Sequence, residues 1–204
     1  MAGSAPVSRK RPVDVLTSSE VAALLRWCSP TAPTGIRNRA LITAMYRGGL
    51  RVDEATKLKA TNVNPANGTM RVLHGKGDKP RTVWIDDGDM ALIQRWMDRR
   101  AALGHRQGVL FCTLAGGELS TAYIRNLLKR LAGRAGIEKR VHPHGLRHSY
   151  AHNLSMAGVP MPVIQNQLGH AHLSTTDIYL KHVAPADAIA ILRDKVPAWN
   201  PEML

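Results

Sequence analysis

His144-Gly145-Leu146-Arg147-His148, then Leu168-Gly169-His170, then Ser174-Thr175-Thr176-Asp177-Ile178-Tyr179 are the stretches on which the reading of this chain turns. They place two imidazoles, a guanidinium and a phenol in a short interval, each beside a helix start or a turn signal. An arginine and two histidines can hold a phosphate and move protons around it, and a tyrosine hydroxyl can attack one. Taken singly, each residue has a plainer reading. A tyrosine in a short helix is usually half-buried packing, and a histidine on a helix face is usually structural.

Upstream, Gly48-Gly49-Leu50-Arg51-Val52-Asp53-Glu54 supplies another arginine, with an acid one helical turn later on the same face. Gly75-Lys76-Gly77-Asp78-Lys79-Pro80-Arg81 puts a lysine on a glycine-flanked turn between two strand-like runs, Thr69 to His74 and Arg81 to Ile85. Thr17-Ser18-Ser19-Glu20 is a capping box that opens a helix carrying Val21, Leu24 and Leu25. Further helices are expected from Ile36 to Arg47, from Leu50 to about Leu58 and from Ala91 to Leu103. Another, capped by Ser120 or Thr121, turns Ile124, Leu127, Leu128 and Leu131 inward and Arg125, Lys129, Arg130 and Arg134 outward. Later ones are expected from Gly145 to Ala157, from Met161 to Leu168, from Ser174 to Lys181 and after Pro185. The fold class is therefore mainly α with one small antiparallel sheet, an α+β domain.

In this order, Arg51, Lys76, His144 with Arg147, His170 and Tyr179 strongly resemble the catalytic set of the tyrosine recombinases, the phage-integrase and Xer-like family. The resemblance extends over most of the chain. It implies a catalytic domain at 13–183, preceded by a basic leader or linker at 1–12. A C-terminal helix and tail at 184–204 would dock on a neighbouring protomer or fold back on its own core.

What the resemblance implies chemically is cleavage and rejoining of duplex DNA through a 3′-phosphotyrosyl link. Tyr179 would be the nucleophile, although ionising an ordinary tyrosine at pH 7 costs roughly 4 kcal/mol and needs help from cations or a base. Arg51 and Arg147 would clamp the non-bridging oxygens. Lys76 would protonate the leaving 5′ oxygen, His144 would handle a proton and His170 would donate to the phosphate. Glu54 would support the site. Lys79 and Arg81 would contact phosphates, and Arg125, Asn126 and Lys129 are candidates for the DNA groove. Asp53 departs from the small residue common in the family at that place. A type IB topoisomerase shares much of this set, and a DNA-binding regulator without catalysis could use the same scaffold. The Leu-Gly-His and Ser-Thr-Thr-x-x-Tyr motifs favour the recombinase, and no catalytic residue is missing.

The composition agrees with a polyanionic partner. The 204 residues carry 28 Lys and Arg against 15 Asp and Glu, a net charge of +13. With one Phe, four Tyr and four Trp, the chain has few rings for stacking single strands, so double-stranded DNA is expected. Free protein is expected to be monomeric and to form a homo-tetramer on synapsed DNA. The histidines at 142, 144, 148 and 152 invite a metal reading, but they lack an HExxH pattern and a nearby acidic ligand. No metal or other cofactor is expected. Cys28 and Cys112 sit in apolar surroundings and read as buried thiols. No signal peptide or membrane-spanning run is legible, so a cytoplasmic protein working on DNA in a bacterial cell is expected. The family normally has a separate N-terminal helical domain that closes around the DNA. The catalytic pattern here starts near Thr17, and weak, salt-sensitive binding is expected of these residues alone.

Overall fold

The computed structural model describes residues 14–73, 80–169, 189 and 192–196. Within them, helix α1 (Ser18–Arg26) starts on the capping box: Glu20 N–H donates to Thr17 Oγ1 at 3.2 Å, and Thr17 N–H donates to Glu20 Oε2 at 2.7 Å. Helix α2 (Pro33–Tyr46) begins before the expected Ile36, because Pro33 fits the first helical turn. It runs through the middle of the domain and is buried from Gly35 to Tyr46, charged residues included. Arg37 donates to the Cys112 carbonyl at 3.2 Å and Arg39 to that of Cys28 at 2.9 Å. Both cysteines are buried and free.

Helix α3 (Val52–Lys57) starts later than expected, since Leu50 lies outside it and Arg51, extended at φ −69°, ψ 155°, is its cap. A meander of β1 (Val63–Asn64), β2 (Thr69–Val72) and β3 (Arg81–Trp84) follows, with Val63 opposite Met70 and Met70 opposite Val83. Strand β1 is two residues long, too short for a legible alternation. Helix α4 (Asp87–Ala102) takes in an acidic first turn that reads locally as loop. Asp86 caps it by accepting from Asp89 N–H at 3.1 Å, and Asp89 pairs with Arg47 at 2.9 Å in the interior.

Helices α5 (Thr121–Arg134), α6 (Pro143–Met156) and α7 (Met161–Leu168) complete the layer around α2. On α5 the expected inward residues are buried and the basic ones exposed, with Ser120 as the cap. Leu146, Tyr150 and Leu154 are the buried stripe of α6, and Tyr150 packs on Tyr46 with ring centroids 5.7 Å apart. Residues 192–195 are helical and bury Leu192. No helix among the described residues is long and apolar enough to cross a membrane. The mainly α fold with a small antiparallel sheet matches the class expected from sequence.

Candidate active site

The site is assembled where α2 ends, α3 and α6 begin, β3 enters the sheet and α7 stops. Arg51 reaches it from the α3 cap. Its backbone N–H donates to Glu54 Oε2 at 2.8 Å, closing the first turn. Its guanidinium donates through Nη1 to Glu54 Oε1 at 2.7 Å and through Nη2 to the Gly169 carbonyl at 3.1 Å. Glu54 is thus a buried hub. It also receives Arg81 in a parallel two-point pair, Nη1 to Oε1 at 2.9 Å and Nη2 to Oε2 at 2.7 Å. Burial alone would raise the Glu54 carboxyl, but hydrogen bonds and charge from Arg81, then Arg51, outweigh it and hold the pKa at about 2.

Arg147 comes from the second turn of α6. Its Nη1 donates to the carbonyl of Gly49, just before the Leu50-Arg51 step. Its Nη2 is buried and has no hydrogen-bond partner among the described residues. Burial, then the nearby charges of Arg51 and Arg81, push its pKa down to about 9. Two guanidiniums therefore bond one carboxylate and a third lies within reach of its charge, leaving an excess of positive charge and one Arg147 donor without a partner among the described residues. An anion with two or more free oxygens fits that arrangement.

His144 sits on the first turn of α6, exposed, one turn before Arg147. Burial of part of its ring, then Arg147, His148 and Arg51, lower its pKa, so the neutral imidazole prevails at neutral pH. The helix start is set by His142, whose Nδ1 accepts from Gly145 N–H at 3.1 Å, with Pro143 at the first helical position. The rings of His142 and His144 stack with centroids 6.4 Å apart.

Arg51, Glu54, His144 and Arg147 are thus brought together, and Arg81 joins them. Lys76, Lys79, His170 and Tyr179 lie outside the described residues. Arg81 emerges directly after the segment that carries Lys76, and the Gly169 carbonyl directly precedes His170. Arg125, Asn126 and Lys129 are exposed on α5 along a groove of about 540 Å3 that Arg140 and His142 also line. Among the described residues no group of histidine, cysteine and carboxylate side chains is arranged to hold a metal ion.

Sequence reasoning missed Gln167. Buried in α7, it accepts from Trp84 N–H at 3.0 Å and donates to the carbonyls of Trp84 at 2.7 Å and Arg47 at 3.3 Å, tying α7 to β3 and to the end of α2. A polar residue immediately before Leu-Gly-His, among apolar helix positions, was the signal available.

The description of the phage integrase family matches residues 14–185. A tyrosine recombinase XerD of Ralstonia nicotianae is 41% identical over 174 residues, spanning 83% of this chain and 56% of the relative. A tyrosine recombinase XerC of Chromohalobacter salexigens is 35% identical over 181 residues, 86% of this chain and 59% of the relative. The chain thus spans somewhat more than half the length of these relatives. Among solved structures, a XerA recombinase superposes with a TM-score of 0.73 at 28% identity, covering 94% of this chain and 68% of that one. A XerH site-specific recombinase bound to a difH substrate in a pre-cleavage complex superposes with a TM-score of 0.67 at 31% identity, covering 82% and 50%. Motifs, fold and guanidinium cluster agree with these likenesses, and the chain belongs to the phage integrase family, the tyrosine recombinases.

Proposed function

We propose that this chain is the catalytic domain of a site-specific recombinase that cuts and rejoins duplex DNA through a 3′-phosphotyrosyl intermediate. The observation that carries the reading is the buried Nη2 of Arg147, without a hydrogen-bond partner among the described residues, in a cluster with Arg51 and Arg81 that has more positive than negative charge. A scissile phosphodiester supplies the missing anion. Its non-bridging oxygens would take the two guanidiniums, which stabilise the charge that grows as a fifth oxygen approaches phosphorus.

Tyr179 would supply that oxygen. Its Oη bonds to phosphorus, the bond to the 5′ oxygen breaks, and the departing 5′ hydroxyl takes a proton from Lys76. His144, neutral at working pH, would accept the phenolic proton, and His170 would donate to the phosphate. Attack by a 5′ hydroxyl from another strand reverses the step and returns the proton to Tyr179. Bond energy is conserved in the phosphotyrosyl ester, so the scheme uses no nucleotide cofactor. By the same reading the working form is a homo-tetramer on two synapsed duplexes; residues 184–204 either connect protomers or, in line with the burial of Leu192 in this chain's own core, fold back on it.

The test is a nicked duplex whose short 5′-hydroxyl fragment diffuses away after cleavage, incubated with wild type and with Tyr179→Phe in EDTA. Covalent adduct on a denaturing gel from wild type alone is the expected result. Equal DNA binding by both proteins with no adduct from either, on the cognate sequence, would overturn the reading.

A further inference from the structure

Arg81 reads from sequence as a basic residue at the foot of a hairpin, one more phosphate contact. Its surroundings are different. Each of its three nitrogens donates within the protein: Nη1 and Nη2 to Glu54, and Nε to the Gln167 carbonyl at 3.3 Å, so three of its five N–H groups are engaged. The side chain is only 9% exposed. It also lies flat against the turn that ends α7. A Cβ on Gly169 would come within 2.7 Å of Arg81 Cδ and 3.0 Å of Nε. Gly169 itself adopts φ +65° to close the helix.

The start of α3, which bears Arg51, strand β3 and the turn that ends α7 meet on this one side chain. Arg81 starts the strand that follows Lys76. Through Glu54 it fixes the carboxylate that orients Arg51. Through the Gln167 carbonyl and the face of Gly169 it seats the turn that launches His170. Arg51 reinforces the same turn through the Gly169 carbonyl. The carbonyls at the α7 C-terminus are the negative end of that helix, so two guanidiniums there are favourably placed.

We infer that Arg81 is a positioning residue that registers strand β3, the Arg51–Glu54 pair and the turn that ends α7, rather than a contact to DNA. The catalytic side of this inference rests on the recombinase reading above. A guanidinium is needed because the parallel pair to Glu54 and the third bond to Gln167 use a rigid fork, which an ammonium cannot supply. With three of its five N–H groups committed and only 9% of the side chain exposed, Arg81 presents little to a DNA phosphate, and swinging it out to meet one would strand the buried Glu54 carboxylate.

The experiment compares wild type, Arg81→Lys and Arg81→Met in the full 204-residue chain. Duplex binding is titrated against salt, and amide exchange is followed over residues 165–169, where Gly169 N–H is bonded to the Gln165 carbonyl at 2.7 Å. Adduct formation is timed at saturating nicked duplex. A positioning residue leaves the salt slope unchanged, speeds exchange at the end of α7 by roughly tenfold, and slows adduct formation by about ten- to a hundredfold. Arg81→Lys falls between the other two, and it carries the comparison should Arg81→Met fail to fold. A slope lowered by about 0.9, the loss of one phosphate contact, with exchange unaltered would overturn the inference. If wild type itself makes no adduct, the cleavage reading fails, and the slope and exchange still decide the role of Arg81.

Discussion

Arg147 of α6 donates a hydrogen bond to the carbonyl of Gly49, 98 residues earlier in the chain. That glycine is held at φ +59°, and a Cβ added to it would meet Leu168 Cδ2 at 2.3 Å. One turn residue thereby sets the approach to Arg51, fixes Arg147 and abuts the end of α7. Gly49→Ala is expected to cost about 1–2 kcal/mol from the left-handed backbone. That lowers Tm by about 2–8 °C in a domain of this size. Thermal unfolding followed by circular dichroism measures it, and an unchanged Tm would mean that the turn relaxes without loss.

The buried Arg147 guanidinium is expected to bind simple oxyanions in the absence of DNA. Burial, Arg51 and Arg81 all disfavour its charge, hence the lowered pKa of about 9. A phosphate oxygen at Nη2 would relieve that strain at neutral pH. Inorganic phosphate at ten times its Kd should therefore stabilise wild type by about 1.4 kcal/mol, or about 3–6 °C. Arg147→Met should lose most of this rise. Equal phosphate-induced shifts in both proteins would place the anion elsewhere.

Glu54 gives stability a specific acid dependence. Its carboxyl is lowered from the ordinary 4.5 to about 2 by Arg81 and Arg51, against the raising effect of burial. A carboxyl with a depressed folded pKa contributes stability that is complete above 4.5 and lost as pH falls through about 2. The linked amount is about 3 kcal/mol, an upper bound for one group. Urea unfolding of wild type and Glu54→Gln between pH 2 and 7 isolates it. The gap between the two proteins should be widest near neutrality and narrow as pH falls below 4.5. A gap that stays constant across the range would show that the carboxylate charge is not what matters.

How far the chain announces these features depends on whether a partner is near in sequence. The Thr17–Glu20 capping box and the Arg51–Glu54 pair, each three residues apart, were legible because local helix geometry alone brings them together. Arg81 and Glu54 are 27 residues apart, and nothing local distinguishes a guanidinium bound for a buried carboxylate from one bound for solvent. The clamp made by Gln167 depends on β3 and the end of α2 arriving at one place. The charged residues of α2 carry no local signal of their burial either. Arg37 and Arg39 look like a solvated face, yet both are buried on carbonyls of distant loops. Motif spacing pointed to the family, and tertiary register decides which cations lie together: Arg51, Arg81 and Arg147.

His142 places a titratable acceptor at the start of the helix that bears His144 and Arg147. As the cap, its Nδ1 must be unprotonated to accept from Gly145 N–H. Burial, then Arg140 and His144, lower its pKa, while Asp14 opposes them. A lowered folded pKa means that the cap contributes fully above the ordinary 6.5 and is lost as pH falls through the folded value. His142→Ala should cost about 1 kcal/mol at pH 8. His142→Asn should retain the cap and flatten the change in stability between pH 8 and 5. If His142→Asn follows pH as steeply as wild type, another group controls that range.

The basic face of α5 separates electrostatic grip from sequence reading. Arg125, Asn126 and Lys129 are exposed along a groove of about 540 Å3, with Arg140 on its other wall. Lys139, also lining it, is held by Glu20 at 2.8 Å and the Val15 carbonyl at 3.0 Å, so part of its charge is already paired. A lysine that only neutralises phosphate weakens all duplexes alike when removed. Lys129→Gln should thus lower the salt slope by about 0.9 without changing Tm. A side chain that reads a base edge should instead cost about 1–3 kcal/mol on the cognate duplex and little on an unrelated one. Asn126→Ala and Arg125→Gln are the variants to divide between these outcomes. If all three leave binding to both duplexes unchanged across salt, α5 does not face the DNA.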